Sequence, residues 1–248
     1  MTASVLYTAM TGLEAASYRE ALTAGNLDNA DTTGYRAQRG GFRALPFQGP
    51  QAPAGADVAL DQSGPDSSAG PLTHTGARWD VALQGAGWLV ARRADGQVVL
   101  TRDGRLHLGA GGLLRTASGA TVLGANHQPI SLPRMRRVVI GADGTISGVP
   151  ANQASDQAQT FNRLLLARTP PGRLRRLARE GFAVAPGTRL AVSRPTRLKQ
   201  GYLEGSNVSA VGAMTRLISD TRSFQLQARV ARVAGQGQQG LDALISGG

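Results

Sequence analysis

Two stretches near opposite ends of this chain carry apolar side chains at alternating steps of three and four residues. A polypeptide with such seams at both ends must bring each one against another surface. In the first stretch Leu6, Ala9, Leu13 and Ala16 share a face, which is interrupted at Glu20 and resumes at Ala24 and Leu27. In the second, Ala210, Met214, Leu217, Thr221, Phe224, Ala228 and Ala231 alternate steps of four and three, a heptad-like stripe. The patterns predict helices over about 4–28 and 207–245, roughly 37 Å and 58 Å long at 1.5 Å per residue. Thr2 or Ser4 suits the first as a cap, and Ser206 or Asn207 the second. Gly235, Gly237 and Gly240 weaken the second helix by about 1 kcal/mol each relative to Ala before Leu241, Leu244 and Ile245 resume it.

What lies between has a different period. The stretch 50–71, rich in Pro, Gly, Ser, Ala and Asp, reads as an extended or mobile connection. Short apolar runs follow: WDVAL (79–83), WLVARR (88–93), QVVLT (97–101), RLHL (105–108), LLRT (113–116), ATVLG (120–124), PISL (129–132) and RRVVI (136–140). Asp95-Gly96, Asp103-Gly104, Gly111-Gly112, Ser118-Gly119 and Asp143-Gly144 punctuate them and signal hairpins. FNRLLLAR (161–168) and GFAVA (181–185) extend the series. The succession is all-β and lacks the helical crossovers of a βαβ fold. A module of about 120 residues has a radius of gyration near 14 Å, too small to cover two such long seams. The seams therefore suit pairing with each other and then with further copies.

Composition limits the chemistry. The chain has no cysteine, which removes disulfides, thiol nucleophiles and thiolate metal sites. His74, His107 and His127 lack metal-ligand spacing. Residues 235–240 read GQGQQG, a literal G-x-G-x-x-G, but they follow a helix where a dinucleotide site needs a strand. No cofactor and no small-molecule substrate is expected. The net charge of +11 is almost all arginine, Lys199 being the only lysine. Such a balance admits an Arg-rich nucleic-acid binder as an alternative. The densest basic region, from Arg163 to Arg197, lacks the interleaved aromatics of a single-strand platform and reads as a solvated rim or subunit contact. No specific nucleic acid is expected. The N-terminal MTASVLYTAM has neither the basic region nor the apolar core of a cleavable secretory signal.

The two ends carry a further pattern. TAGNLDNADTTGYRAQ (23–38) resembles the N-terminal signature of bacterial flagellar axial proteins through Ala24, Asn26, Leu27, Asn29, Thr32, Gly34 and Tyr35, with Asp28 departing from it. GYLEGSNVSAVGAMTRLI (201–218) resembles their C-terminal signature through Leu203, Glu204, Ser206, Asn207, Val208, Val211 and Met214. LYTAMTG (6–12), GYRAQ (34–38), RALPFQG (43–49), WDVALQGAGWLV (79–90), TRDGRL (101–106) and GADGTISG (141–148) are similar to the proximal branch of the basal-body rod proteins, with the distal rod protein as the alternative.

The resemblance implies a structural subunit and no enzyme. It implies an α+β chain: long N- and C-terminal helices pairing as a coiled-coil-like axial domain, with a central all-β domain. The expected divisions are 1–35 (axial helix and signature turn), 36–78 (extended arm), 79–199 (β domain) and 200–248 (axial helix). Assembly residues are then Leu6, Ala9, Leu13, Leu217 and Phe224 together with the signature residues above. The implied partners are other copies, other rod proteins including the distal one, and the flagellar type III export apparatus during secretion. The implied location is the periplasmic rod of the basal body, reached without a cleaved signal. In this setting the polar 24–38 stretch stops the inner helix and turns the chain outward.

Overall fold

A computed structural model describes residues 2–46, 56–154, 156–177, 181–185, 187–188, 190–193 and 195–246, without the side chains of 2–7, 44, 46, 56–57, 60–63, 171 and 238–246. The chain is α+β, with an N-terminal helix, a mostly β centre and a C-terminal helix. It divides into two units. One comprises residues 1–29, 38–64 and 208–248, the other residues 30–37 and 65–207. The backbone therefore passes between them four times.

In the first unit α1 (Thr2–Asp28) and α2 (Ala210–Ser246) lie alongside each other, joined by β1 (Gln38–Pro46) paired with β2 (Ala56–Pro65). The stretch 50–71, read as an extended or mobile connection, is extended where it is described at its start, as β2. The two helices run antiparallel: Thr23 Oγ1 donates to Asp220 Oδ2 at 2.7 Å, Thr221 Oγ1 donates to Glu20 Oε1 at 2.9 Å, and Gly12 faces Gln227. On α1 the covered face holds half-buried Ala9 and Leu13, buried Ala16, then Glu20, Thr23 and Leu27. Glu20 does not interrupt the seam but belongs to it through its hydrogen bond. Ala24 is exposed, one step of about 100° away from Thr23. The opposite side of α1 meets β1, where Tyr18 stands edge-on to Phe42 at 5.6 Å and the Arg19 guanidinium lies 5.5 Å from the same ring.

Helix α2 runs unbroken through Gly235, Gly237 and Gly240. Its cap is Ser209, whose Oγ accepts from Gly212 N at 3.2 Å. Neither Ser206 nor Asn207 is the cap, because the helix begins only at Ala210, and the Asn207 side chain is engaged elsewhere, as described below. Thr2, Ser4, Leu6, Leu241, Leu244 and Ile245 have side chains outside the described residues.

The second unit contains β3 (Leu72–His74), β4 (Val81–Gln84), β5 (Trp88–Arg92), β6 (Val98–Thr101), β7 (Leu106–Leu108), β8 (Leu114–Thr116), β9 (Thr121–Val122) and β10 (Met135–Ile140). It continues with β11 (Thr145–Pro150), β12 (Gln159–Arg163), β13 (Leu166–Arg168), β14 (Leu174–Leu177), β15 (Gly181–Val184), β16 (Ala191–Val192), β17 (Arg197–Gln200) and β18 (Tyr202–Glu204). The main sheet runs β14-β15-β6-β5-β9-β8-β7, with β13 bridging β5 and β16. β10-β11-β12 form a second sheet, and β17-β4 and β18-β3 are separate pairs. All described pairings in this unit are antiparallel.

Strand β5 shows why this unit is dry. Successive side chains of a strand point to opposite faces. Trp88 and Val90 enter one apolar cluster with Leu100, Leu123, Leu165 and Phe182, whereas Leu89 enters another with Val81, Leu83, Leu114, Ile130 and Ile146. Both faces are buried, so the run is continuously apolar. Gly96, Gly119 and Gly144 take positive φ at hairpins, as their dipeptides predict. Asp103-Gly104 does not make a hairpin: β6 pairs with β5 and β15, and β7 pairs with β8. Gly104 is instead a close-approach position, where an added Cβ would lie 1.7 Å from Val81 O. PISL forms isolated bridges only, and FNRLLLAR divides into β12 and β13.

Candidate functional site

Within the second unit the two signature segments converge on one carboxylate. Glu204, at the end of β18, is 1% exposed. Its Oε1 accepts from Arg36 Nη2 at 2.6 Å and from Gly70 N at 3.0 Å, and its Oε2 accepts from Arg102 Nε at 2.6 Å. Its backbone oxygen accepts from Gly34 N at 2.7 Å. Arg102 is held from the far side: Nη1 donates to Gly85 O at 2.9 Å and Gly87 O at 2.6 Å, and Nη2 donates to Leu83 O at 2.7 Å. A buried carboxylate is tolerated only when paired and hydrogen-bonded, and Glu204 is both. Burial, then the neighbouring Arg102 charge, bring the Arg36 guanidinium down to about 10, which leaves it charged at neutral pH.

Gly34 is at a position only glycine fits. Its φ is +68°, and an added Cβ would sit 2.3 Å from the Arg102 carbonyl carbon. Tyr35 follows, buried, with its N donating to Thr32 O at 3.1 Å. The Arg176 guanidinium stacks between Tyr35 and Phe182, at 4.2 Å and 4.7 Å from their ring centres, and donates from Nη2 to Arg36 O. Desolvation lowers the Arg176 pKa from its ordinary value.

Asn207 ties down the same crossing of chain segments. Its Oδ1 accepts from Ala37 N at 2.7 Å, and its Nδ2 donates to Ser68 O at 3.0 Å. Asp66 N donates to Ala37 O at 2.7 Å. Ser206 is buried beside it. These contacts occupy the Asn207 side chain, which therefore does not cap α2.

The rest of the N-terminal signature lies in the first unit. Asn26 makes a reciprocal amide pair with the start of β1: its Nδ2 donates to Gln38 O at 2.9 Å, and its Oδ1 accepts from Gln38 N at 2.8 Å. Asn29 closes the helix, with N donating to Asn26 O at 3.2 Å and Nδ2 to Gly25 O at 2.9 Å. The polar stretch is thus a helix stop whose side chains supply the backbone's missing partners.

Of the stripe residues on α2, Leu217, Thr221, Phe224, Ala228 and Ala231 lie on the half-buried side facing α1, whereas Met214 is 53% exposed. The covered seam includes Ala213 and leaves out Met214. Met214 belongs instead to a second apolar row, of which the heptad stripe takes in Met214 alone: Val211, Met214, Ile218, Leu226, Val230 and Val233, all more than half exposed, with Arg222 completing the spacing. The i, i+3, i+4 steps of this row were visible in the sequence.

Arg36, Arg102 and Arg176 are the site residues that sequence reading passes over. Arg176 falls in the basic region read as a rim or subunit contact and is instead half-buried between two aromatic rings. Arg163, Arg168, Arg173, Arg175 and Arg197 are exposed, while Arg179, Arg189 and Arg194 lie outside the described residues. No group of three or more metal-ligating side chains occurs among the described residues. The GQGQQG run lies within α2, without the strand a dinucleotide site requires.

Three family profiles match the chain in order: "Flagella basal body rod protein" over residues 6–36, "Flagellar hook protein FlgE/F/G D1 domain" over 82–148, and "Flagellar basal body rod FlgEFG protein C-terminal" over 199–242. The flagellar basal-body rod protein FlgF of Salmonella typhimurium is 35% identical over 97% of this chain and 98% of its own length. That of Escherichia coli is 35% identical over 91% of each chain. The rod protein FlgG of Agrobacterium fabrum is 29% identical over 91% of this chain and 93% of its own. With the Gly34–Ala37 and Glu204–Asn207 signatures knotted around one carboxylate, and relatives matching along nearly the whole length, this chain belongs to the flagellar basal-body rod protein family.

Proposed function

We propose that this chain is a structural, non-catalytic subunit of the proximal segment of the flagellar rod. Its terminal helices form a coiled-coil-like axial pair, and copies assemble helically through that pair into the torque-transmitting shaft. The observation that carries the reading is the uncovered row on α2. Val211, Met214, Ile218, Leu226, Val230 and Val233 are each more than half exposed. An apolar row of this length on a helix marks a surface that another protein covers. The occupants that fit are α1–α2 pairs of adjoining copies and of other rod proteins, the distal one included. Higher identity to the FlgF relatives than to the FlgG relative favours the proximal segment. Passage through the flagellar export apparatus and placement in the periplasmic part of the basal body follow from that assignment.

The sequence expectation put Leu217 and Phe224 at the contact between subunits. Both are half-buried on the side of α2 toward α1; in this reading they hold the pair together for assembly, and the outward row, which includes the signature residues Val211 and Met214, meets the adjoining subunits. The test is an Ile218→Asp/Leu226→Asp double variant supplied to cells lacking the native gene. We expect the purified variant to keep the parent's unfolding midpoint, while basal bodies lack it and swimming stops. Normal swimming with the variant present in isolated basal bodies would overturn the proposal.

A further inference from the structure

The net charge of +11 is not shared between the two units. Residues 1–29, 38–64 and 208–248 carry seven basic and seven acidic side chains, whereas residues 30–37 and 65–207 carry twenty and nine. The whole excess therefore belongs to the β unit. A compositional preference for arginine would load both units alike, yet the helical unit is neutral. Like charge gathered on one unit is a cost to folding that an anionic partner relieves.

Part of the excess lies on one sheet face. Val138 and Ile140 of β10, Ile146 of β11 and Leu198 of β17 all enter the same apolar cluster. β17 lies alongside the end of β10: Leu198 N donates to Ala142 O at 2.9 Å, and Ile140 N donates to Gln200 Oε1 at 3.2 Å. The side chains that alternate with the buried ones point away from the cluster. They are Arg137 and Val139 on β10, Arg197 and Lys199 on β17 and, through its pairing with Thr145, Arg163 on β12. All five are exposed, Val139 by 49%.

Acidic groups answer little of this charge. Asp156 pairs with the neighbouring Arg136 at 3.0 Å, and Asp143 acts on Arg163 through space. Arg137 and Arg197 have no ion pair among the described residues, and the Lys199 ammonium rests 3.6 Å from the centre of the Tyr202 ring. None of the five outward side chains is an aromatic on which a base could stack. An apolar side chain set among arginines is the composition of a protein contact. The planar guanidinium fork matches a carboxylate. A second copy is a poor match, since its β unit repeats the same excess and its helical unit is neutral.

We propose that this outer face of β10, β12 and β17 docks a carboxylate-rich surface of a different protein. Arg137, Arg163 and Arg197 pair with its acidic side chains, and Val139 meets an apolar one. The contact stands independently of the helix contacts proposed above.

The experiment follows fluorescence anisotropy of a labelled peptide of Glu-Glu-Val repeats, titrated with the purified full chain at about 0.1 M salt, where distant charges are screened. A single-stranded oligonucleotide and phosphatidylglycerol vesicles are added as competitors at equal charge concentration. We expect a saturable response to the peptide that neither competitor displaces. Arg137→Gln/Arg197→Gln should weaken it about tenfold. Val139→Asn should weaken it about threefold, the loss of a partly covered apolar contact. Arg168→Gln/Arg173→Gln removes the same charge from exposed positions outside this face, and should weaken it about twofold at most. All three variants should keep the parent's unfolding midpoint, since the positions are exposed. Equal losses in the two double variants, an unchanged affinity in Val139→Asn, displacement by either competitor, or no saturable response to the peptide refutes the assignment.

Discussion

The two units of this chain bury their apolar side chains to very different degrees. In the β unit Leu83, Leu89, Leu100, Leu114, Ile130 and Ile146 are at most 1% exposed. In the helical unit the covered seam is only half-buried for the most part, and α2 leaves a second apolar row uncovered. A strand buried on both faces completes its contacts within one chain. A helix with two apolar rows satisfies one on its partner and keeps the other for something else. The difference teaches that one unit closes its apolar contacts within itself, whereas the other leaves an apolar row open.

The comparison breaks most severely at Glu204. Glu204→Ala leaves Arg36 and Arg102 buried without a counter-charge, an expected loss of about 3–5 kcal/mol. Chemical denaturation should show that loss in the cooperative transition of the β unit. Next is Leu217→Asp, which puts a charge into the seam against α1. We expect a loss of about 2–4 kcal/mol, confined to the helical unit. Hydrogen exchange should show faster exchange across residues 2–28 and 210–246, with residues 81–204 unchanged. Spread of the faster exchange into the β strands would mean that the units unfold together. Gly34→Ala should cost about 2–4 kcal/mol, through positive φ and the clash with the Arg102 backbone. Ile218→Asp, on the uncovered row, should stay within about 0.5 kcal/mol of the parent in the isolated chain.

The smallest effect concerns pH. Asp143 accepts from Thr145 Oγ1 at 2.6 Å and from Thr145 N at 3.0 Å, which holds its carboxyl below the ordinary value. Its contribution to the β10–β11 turn is present above the ordinary carboxylate range and is lost as pH falls through the depressed value. Asp143→Ala should therefore flatten the acid limb of the stability curve slightly, leaving stability above neutral pH otherwise parallel to the parent. An acid limb identical to the parent's would remove this contribution.

Helices were legible because their period is local. The first helix begins and ends within a few residues of where Leu6 to Leu27 place it, and Asn26, Asn29 and Gly34 do stop and turn the chain. Within the seam, Glu20 and Thr23 were opaque, since a polar side chain announces a partner only when that partner is known. Glu20 and Thr221 are distant in sequence and meet through a hydrogen bond. Hairpins at Asp95-Gly96 and Asp143-Gly144 were equally local. Asp103-Gly104 misled, because a glycine required for close approach to Val81 O looks the same in sequence as one required for a turn. The site was half visible. Glu204 and Asn207 stood out through resemblance, while Arg36, Arg102 and Arg176 were hidden among many other arginines. Their burial depends on pairings between residues far apart in the chain.

The path of the backbone has a mechanical consequence. Because the chain passes between its units at four separate places, no single nick at one of those junctions lets either unit go. A pull on the helices reaches the strands along several covalent leads at once. A shaft component wired in this way can carry load even when one lead slackens.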